Sequence, residues 1–393
     1  VTGTRVLVAG GGSAGHVQPA LAVADALGTL DTAVRVTCLG TSGGLETTLV
    51  PEHGYELVLI PQVKFRRRLD LEVLWIPGRL VSTVRAARKV IRDKDIDVVI
   101  GFGGYVSLPA YLAARMSVRH RIPVVVHEAN ARAGIANKVG ARLAAVVLAA
   151  VPGSGLKGAR VVGNPVRCSL SGLDLSSLRA QARKYFGLDP DAPTLLVIGG
   201  SLGAVKLNDA VSGAAAELGR AGVGVLHAHG RGKEITLPEP VPGQPAYVAL
   251  PYLDRMDLAY AAADLILARS GAITVAEIGA LRIPVVYVPL MFGNGEQRLN
   301  ALPQVDAGAA LIIEEKTLRP KTIIEQILPL VKDGQALARM RAAAGTSSTK
   351  GADELIARIV LMVAGAGDRK VPSGRRGARR GAKRATQKDR AAR

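Results

Sequence analysis

Short, continuous apolar runs alternate with stretches of helical period along most of the chain. The first run, Val6, Leu7, Val8 and Ala9, ends in Gly10, Gly11, Gly12, Ser13, Ala14 and Gly15; about halfway along, Leu195, Leu196, Val197 and Ile198 end in Gly199, Gly200, Ser201, Leu202 and Gly203. An unbroken apolar run of this length suits a parallel strand buried on both faces. A turn so poor in side-chain bulk suits a backbone that must bend sharply. Further strands are predicted at 34–39, 57–60, 98–102, 124–127 and 146–149, and then at 223–229, 246–249, 265–268, 285–288 and 310–313. Helices are predicted at 19–27, 74–94, 133–143, 205–218 and 352–363. Alternation of this kind predicts an α/β fold of two Rossmann-like domains with doubly wound parallel sheets facing a cleft. The boundary is expected at Gly163, Asn164 and Pro165, giving an N-terminal domain over 1–164 and a C-terminal domain over 165–349. A last helix within 350–364 is expected to pack back on the first domain.

Each glycine turn is followed by a helix, so amides and a helix dipole converge where a phosphate would sit. One anion site per half points to a diphosphate-bearing substrate, or to two of them. Gly10, Gly12 and Gly15 satisfy the dinucleotide fingerprint, yet the next strand ends in Cys38, Leu39, Gly40 and Thr41, without the acid that would hold a ribose. Hydride chemistry is therefore disfavoured. His16 follows the turn directly and places an imidazole at the mouth of the anion site, where it can serve as a base or bind an acceptor. Gly199 to Gly203 also match a hydrolase nucleophile elbow. The last histidine is His229, which leaves no suitable acid and histidine downstream, so Ser201 is expected to donate its hydroxyl to a phosphate. A third turn, Gly101 to Ser107, adds backbone donors to the first crevice. A fourth, Arg269 to Glu277, leaves a strand and starts a helix, with the Glu277 carboxylate one turn in. His227 and His229 share one face of a strand and read as packing residues. Asp95 and Asp97 stand at a strand entry and read as solvated charges.

Composition narrows the setting. Only Cys38 and Cys168 occur among 393 residues, so neither a disulfide framework nor a cysteine metal site is indicated. Apolar runs are too short to span a bilayer and no signal core opens the chain, so a protein that is neither spanning nor exported is expected. The net charge is +19, and residues 369–393 hold eleven Lys or Arg against Asp389 alone. That tail has no aromatic residue to stack on a base, so a disordered basic segment over 365–393 is expected, solvated or in contact with anionic lipid, and no nucleic-acid partner. Leu74, Trp75, Ile76, Leu80, Val81 and Val84 lie beside Lys64, Arg66, Arg67, Arg68, Arg79, Arg85 and Arg88. Apolar residues with a basic border describe an interfacial helix, although part of such a stripe can instead pack on the sheet.

Taken together, these motifs resemble those of the MurG family of peptidoglycan N-acetylglucosaminyltransferases. The resemblance rests on Gly11 to His16 with Pro19; Gly103 to Ser107 with Pro109; His127, Glu128 and Asn130; Asn137 and Lys138; Gly163 to Arg167; Gly199 to Ala204; Arg269 to Ala272 with Thr274 and Glu277; and Gln297 with Asn300 to Pro303. It covers everything but the tail. Departures are Ser13 and Ala14 in the first turn, Ala129 between Glu128 and Asn130, Leu202 after Ser201, and Glu296 before Gln297.

The resemblance implies a GT-B architecture and transfer of GlcNAc from UDP-GlcNAc to the undecaprenyl-diphosphate-linked acceptor lipid I, with inversion and without cofactor or metal. It implies that Arg167, Ser201 and the amides of Ala272, Ile273 and Thr274 hold the donor diphosphate. Leu253 would meet uracil through its backbone, Glu277 the ribose, and Gln297 with Glu296 the sugar. Ser13, Ala14, Gly15, Gly103, Gly104, Tyr105, Asn130 and Asn137 would form the acceptor side. The general base is left open among His16, His127 and Glu128. Leu74, Trp75 and Leu80 would face the cytoplasmic leaflet, where anionic lipids and other cell-wall enzymes are the expected partners. A UDP-GlcNAc 2-epimerase shares the architecture and is the alternative enzyme; a nucleotide-sugar or RNA-binding protein working through its tail is the non-enzymatic one.

Overall fold

The computed structural model describes residues 3–62, 76–117, 121–167, 170, 172–200, 203–291, 295–344 and 351–368. Two wholly parallel sheets organise them. The first has seven strands in the order β3-β2-β1-β4-β5-β6-β7, with β1 at Arg5–Ala9, β2 at Arg35–Gly40, β3 at Glu56–Leu59, β4 at Val98–Gly101, β5 at Val124–Glu128, β6 at Val146–Ala149 and β7 at Arg160–Val161. The second has six in the order β10-β9-β8-β11-β12-β13, with β8 at Thr194–Ile198, β9 at Gly224–Ala228, β10 at Tyr247–Leu250, β11 at Leu265–Ala268, β12 at Val285–Tyr287 and β13 at Ala310–Ile312. In each sheet the strand order reverses beside the strand that carries a glycine turn. Ligand crevices open at such switch points, beyond the carboxyl ends of the strands.

Burial on both faces explains the unbroken apolar runs. Val6 and Val8 of β1 enter one core layer, Leu7 and Ala9 the other. In β8 the same division separates Leu196 and Ile198 from Leu195 and Val197. The helices that cover the first sheet are α1 (Ala14–Leu30), α2 (Glu46–Glu52), α3 (Ile76–Asp93), α4 (Ser107–Arg115) and α5 (Ile135–Ala141). Those of the second half include α6 (Leu175–Phe186), α7 (Val205–Ser212), α8 (Ala215–Arg220), α9 (Met256–Ala262), α10 (Ala272–Leu281) and α11 (Glu296–Asp306). The C-terminal helix, Ala352–Asp368, returns to the first half, where Ile356, Ala357, Ile359 and Val360 join Val17, Leu21 and Leu27 of α1 in one cluster.

Three expectations about elements change. Helix α1 begins at Ala14 rather than at Pro19, so the helix starts within the glycine turn itself and Pro19 lies inside it. The single helix expected at 205–218 is two, broken at Gly213, where an added Cβ would lie 2.7 Å from Pro320 Cγ. The short strand β7 was not anticipated.

The α3 stripe needs correction as well. Leu80, Val84, Ala87 and Ile91 recur at helical spacing on the face that packs into the sheet, so Leu80 belongs to the core boundary rather than to a membrane face. Val81 stays exposed. Leu74 and Trp75 lie outside the described residues, as do residues 369–393 of the basic tail. Asp95 and Asp97 engage Arg5 at the entry of β1, through an ion pair of 3.1 Å and an Arg5 backbone N–H bond of 2.7 Å to Asp97. No described helix is long and apolar enough to cross a membrane.

Candidate active site

The carboxyl ends of β1, β4 and β5 lie side by side, with Ala9 opposite Gly101 and Gly101 opposite Val126. Their turns meet around His16. The imidazole Nδ1 lies 2.9 Å from the Phe102 carbonyl. Because a carbonyl only accepts, Nδ1 carries the proton and the Nε2 lone pair is left as the basic position. Burial pulls His16 below its ordinary 6.5, while the Glu128 carboxylate and the Phe102 carbonyl pull it back up. Gly103 and Gly104 adopt positive φ (92° and 81°), and side chains there would crowd the ring: an added Cβ lies 3.1 Å from Cε1 in one case and 3.1 Å from Cδ2 in the other. Ser107 fixes the third turn by donating toward the Ala9 carbonyl at 2.8 Å and the Gly103 carbonyl at 2.6 Å.

The other two candidate bases are enclosed. His127 is completely buried, its Nε2 donates to the Gly163 carbonyl at 2.9 Å, and burial lowers its pKa. It ties the end of β5 to the stretch that follows β7. Glu128 is also buried: Oε1 accepts from the Asn130 backbone and side-chain N–H groups at 3.0 and 3.1 Å, and Oε2 from Gly134 N and Asn137 Nδ2 at 3.1 and 2.9 Å. Asn137 is held in turn by the Tyr111 hydroxyl at 2.8 Å and the His127 carbonyl at 3.1 Å. These side chains shape the loop after β5. Their committed hydrogen bonds fit positioning better than proton transfer or direct grip on an acceptor. Ser13 and Tyr105 are exposed, and Ala14, Gly15 and Gly104 half-buried, along the rim of the same crevice.

On the second half, α10 starts at Ala272 after Gly271 with no side-chain cap, which leaves the amides of Ala272, Ile273 and Thr274 without intrahelical acceptors. Glu277 is buried one turn in. Its Oε2 accepts from the Tyr260 hydroxyl at 2.8 Å and its Oε1 stands 3.8 Å from Arg167. Burial raises the Glu277 pKa, opposed by the Tyr260 hydrogen bond and by Arg167. Gln297 accepts from Leu290 N through Oε1 at 3.0 Å, which orients its amide and leaves Nε2 to donate. Glu296 stands beside it at the start of α11. Leu253 is buried in a core layer of the second half, and Ser201 lies outside the described residues.

A clasp between the halves was not read as such from sequence. Asn300 of α11 accepts from Ala131 N at 2.7 Å, donates to the Ser270 carbonyl at 3.2 Å and approaches Asn130 Oδ1 at 3.4 Å. Asn164 Nδ2 reaches the carbonyls of Ala129 at 3.0 Å and Ala272 at 3.4 Å. Hydrogen bonds thus run from the Glu128 loop, beside His16, to the start of α10. Asn300 stood out only as part of a motif, because its partner Ala131 is remote in sequence.

Behind the second glycine turn, the Tyr247 hydroxyl donates to His227 Nδ1 at 2.7 Å, His227 Nε2 donates to Asn208 Oδ1 at 3.1 Å, and Asn208 Nδ2 donates to the His229 carbonyl at 2.9 Å. The direction is set by that last carbonyl. His227 is thereby a packed, neutral imidazole, lowered to about 4 chiefly by burial. The unfolded chain takes up this proton near 6.5 and the folded chain only near 4. Its contribution is whole above pH 6.5 and should be lost as the pH falls to 4, by about 3 kcal/mol. Urea unfolding of His227→Gln should show a correspondingly shallower loss of stability over that interval.

A switch-point crevice in each half, with an imidazole on one side and an uncapped helix start with Arg167 on the other, defines a two-domain GT-B glycosyltransferase. Family models agree: residues 6–149 match the glycosyltransferase family 28 N-terminal domain and residues 194–357 its C-terminal domain. The chain is 55% identical over 370 residues to a UDP-N-acetylglucosamine--N-acetylmuramyl-(pentapeptide) pyrophosphoryl-undecaprenol N-acetylglucosamine transferase of Mycolicibacterium smegmatis, covering 94% of this chain and 96% of that protein. The like-named protein of Nocardia farcinica is 56% identical over 367 residues, covering 92% and 97%. The crystal structure of Acinetobacter baumannii MurG superposes with a TM-score of 0.70 at 28% identity, over 91% of this chain and 99% of that one. The chain belongs to the MurG family of N-acetylglucosamine transferases. A Listeria monocytogenes protein described as a putative UDP-N-acetylglucosamine 2-epimerase superposes with a TM-score of 0.63 at 14% identity, a likeness of fold alone.

Proposed function

We infer that this protein transfers GlcNAc from UDP-GlcNAc to the muramyl 4-hydroxyl of lipid I, forming lipid II. The observation that carries this reading is the hydrogen-bonded clasp through Asn300, which joins the His16 crevice to the uncapped start of α10 in a chain so close to the named transferases. His16 Nε2 takes the hydroxyl proton as the oxygen attacks C1. Because Nδ1–H is held by Phe102, the imidazole is presented in the tautomer that this step requires. The imidazolium that forms is stabilised by the nearby Glu128 carboxylate.

As the bond from C1 to the UDP oxygen breaks, negative charge grows on the diphosphate. Arg167 and the amides of Ala272 to Thr274 meet it, with Ser201 adding a hydroxyl, so no metal is needed for this task. Glu277 holds the ribose, the Leu253 backbone the uracil, and Gln297 with Glu296 the sugar. Ser13, Ala14, Gly15, Gly103, Gly104 and Tyr105 receive the acceptor, with Asn130 and Asn137 holding the wall behind. A single displacement from the far face inverts C1. The lipid acceptor is reached at the inner leaflet, with Leu74, Trp75 and the bordering basic residues facing anionic headgroups.

Release of UDP that depends on lipid I, unchanged by a chelator and yielding a β-linked product, tests this reading. Epimerisation of UDP-GlcNAc without acceptor would overturn it. Glu128→Gln separates positioning from proton transfer. An amide must place N–H groups against donors, so a loss of about 1–3 kcal/mol in unfolding free energy is expected. Removing the charge should also shift the acid limb of kcat/KM, set by His16, to lower pH. Were Glu128 the base, that limb would vanish.

A further inference from the structure

We propose that Glu46 is a positioning residue for the acceptor, a reading that rests on the acceptor occupying the N-terminal half. Glu46 opens α2, where a carboxylate favours the helix dipole, yet its side chain is fully buried. Among the described residues no cation pairs with it. Oε1 accepts from Thr41 N at 2.9 Å and the Thr41 hydroxyl at 3.1 Å, and Oε2 accepts from Gly12 N at 2.8 Å. The chain makes room for it with glycines: an added Cβ would lie 2.8 Å from Oε1 at Gly11, 2.5 Å from Cγ at Gly40 and 2.0 Å from Oε2 at Gly44.

This carboxylate fixes the first glycine turn from beneath. Gly12 is held at φ 91°. Its neighbour Gly11 packs by its carbonyl against Gly104, where an added Cβ would approach to 2.5 Å, and Gly104 packs on His16. The bond also spends the Gly12 amide within the protein. His16 N and Val17 N both return to the Ser13 carbonyl, at 3.0 and 3.1 Å. Ala14 and Gly15, the first residues of α1, are thus the amides without intrahelical acceptors. An acceptor diphosphate is therefore met by the start of α1 and not by the centre of the turn, and Glu46 sets where that start lies.

The test is steady-state kinetics of Glu46→Gln with UDP-GlcNAc and a short-chain lipid I analogue, alongside Thr41→Val and thermal unfolding of both. The Gln carbonyl can still accept from Thr41, but its amide then opposes the Gly12 N–H. The KM for acceptor should rise about tenfold, as for a lost charge-assisted hydrogen bond, with the KM for UDP-GlcNAc within about twofold. Thr41→Val removes a bond to the same carboxylate without touching the turn; it should lower the unfolding midpoint and leave both KM values within about twofold. A merely structural Glu46 would make the two variants alike, with both KM values unchanged, and that result overturns the proposal. A rise in the UDP-GlcNAc KM alone would instead overturn the assignment of the acceptor to this half while keeping Glu46 as the group that sets the turn.

Discussion

His16→Ala should lower kcat by about 10²- to 10⁴-fold, the range expected for loss of a positioned general base, while the KM for UDP-GlcNAc changes by no more than about twofold. The reason lies in how the ring is held. Phe102 accepts from Nδ1, Gly103 and Gly104 close on both sides of the ring, and burial keeps the imidazole neutral near physiological pH. A base works only when deprotonated, so kcat/KM should rise as the pH climbs through the His16 pKa, with a midpoint below 6.5 because burial outweighs Glu128. The variant should lose that limb. Initial rates of UDP release between pH 5 and 8 measure both effects; a loss under tenfold with the limb intact would move the base elsewhere.

Arg167→Ala carries the second large effect, on the other side of the reaction. Its guanidinium stands 3.8 Å from the buried Glu277 carboxylate, one turn into α10, and in the proposed reaction it meets the leaving-group charge. Removing one fixed donor from a developing anion costs about 10²- to 10³-fold in kcat. Arg167 also counters the burial that raises Glu277. Without it Glu277 should hold its proton to higher pH, so the KM for UDP-GlcNAc should become more pH-dependent in the variant and improve as the pH rises. Donor titrations at several pH values, with acceptor saturating, check the sign. An unaltered kcat would remove Arg167 from the leaving-group site.

Much of the architecture was legible because parallel strands buried on both faces leave unbroken apolar runs, as in β1, β8 and β11. A strand without such a run left no signal: β7 comprises Arg160 and Val161 only, both exposed. Proline misled at α1, since Pro19 suggested a helix start five residues late. The position of the two crevices was legible where a glycine turn marked it, as beside His16 and at Ala272 to Thr274. Polar residues at a strand end were harder to read, because sequence does not say which way they are closed in. His127 and Glu128 looked like rivals of His16, yet each is enclosed by partners that include Gly163, Gly134 and Asn137. The least legible residues were those whose partners are distant along the chain. Glu46 meets Gly12 across 34 positions and Asn300 meets Ala131 across 169, and neither spacing leaves a local pattern.

The central claim is that two half-sites, one with a base and one with a diphosphate cradle, act together on a lipid acceptor. It is tested most directly by incubating the protein with UDP-GlcNAc and a short-chain lipid I analogue, then quantifying UDP and isolating the lipid product by mass spectrometry. The account predicts one disaccharide-bearing lipid for each UDP released, with both falling together in His16→Ala. Consumption of UDP-GlcNAc with no disaccharide formed from an acceptor known to be active would contradict it.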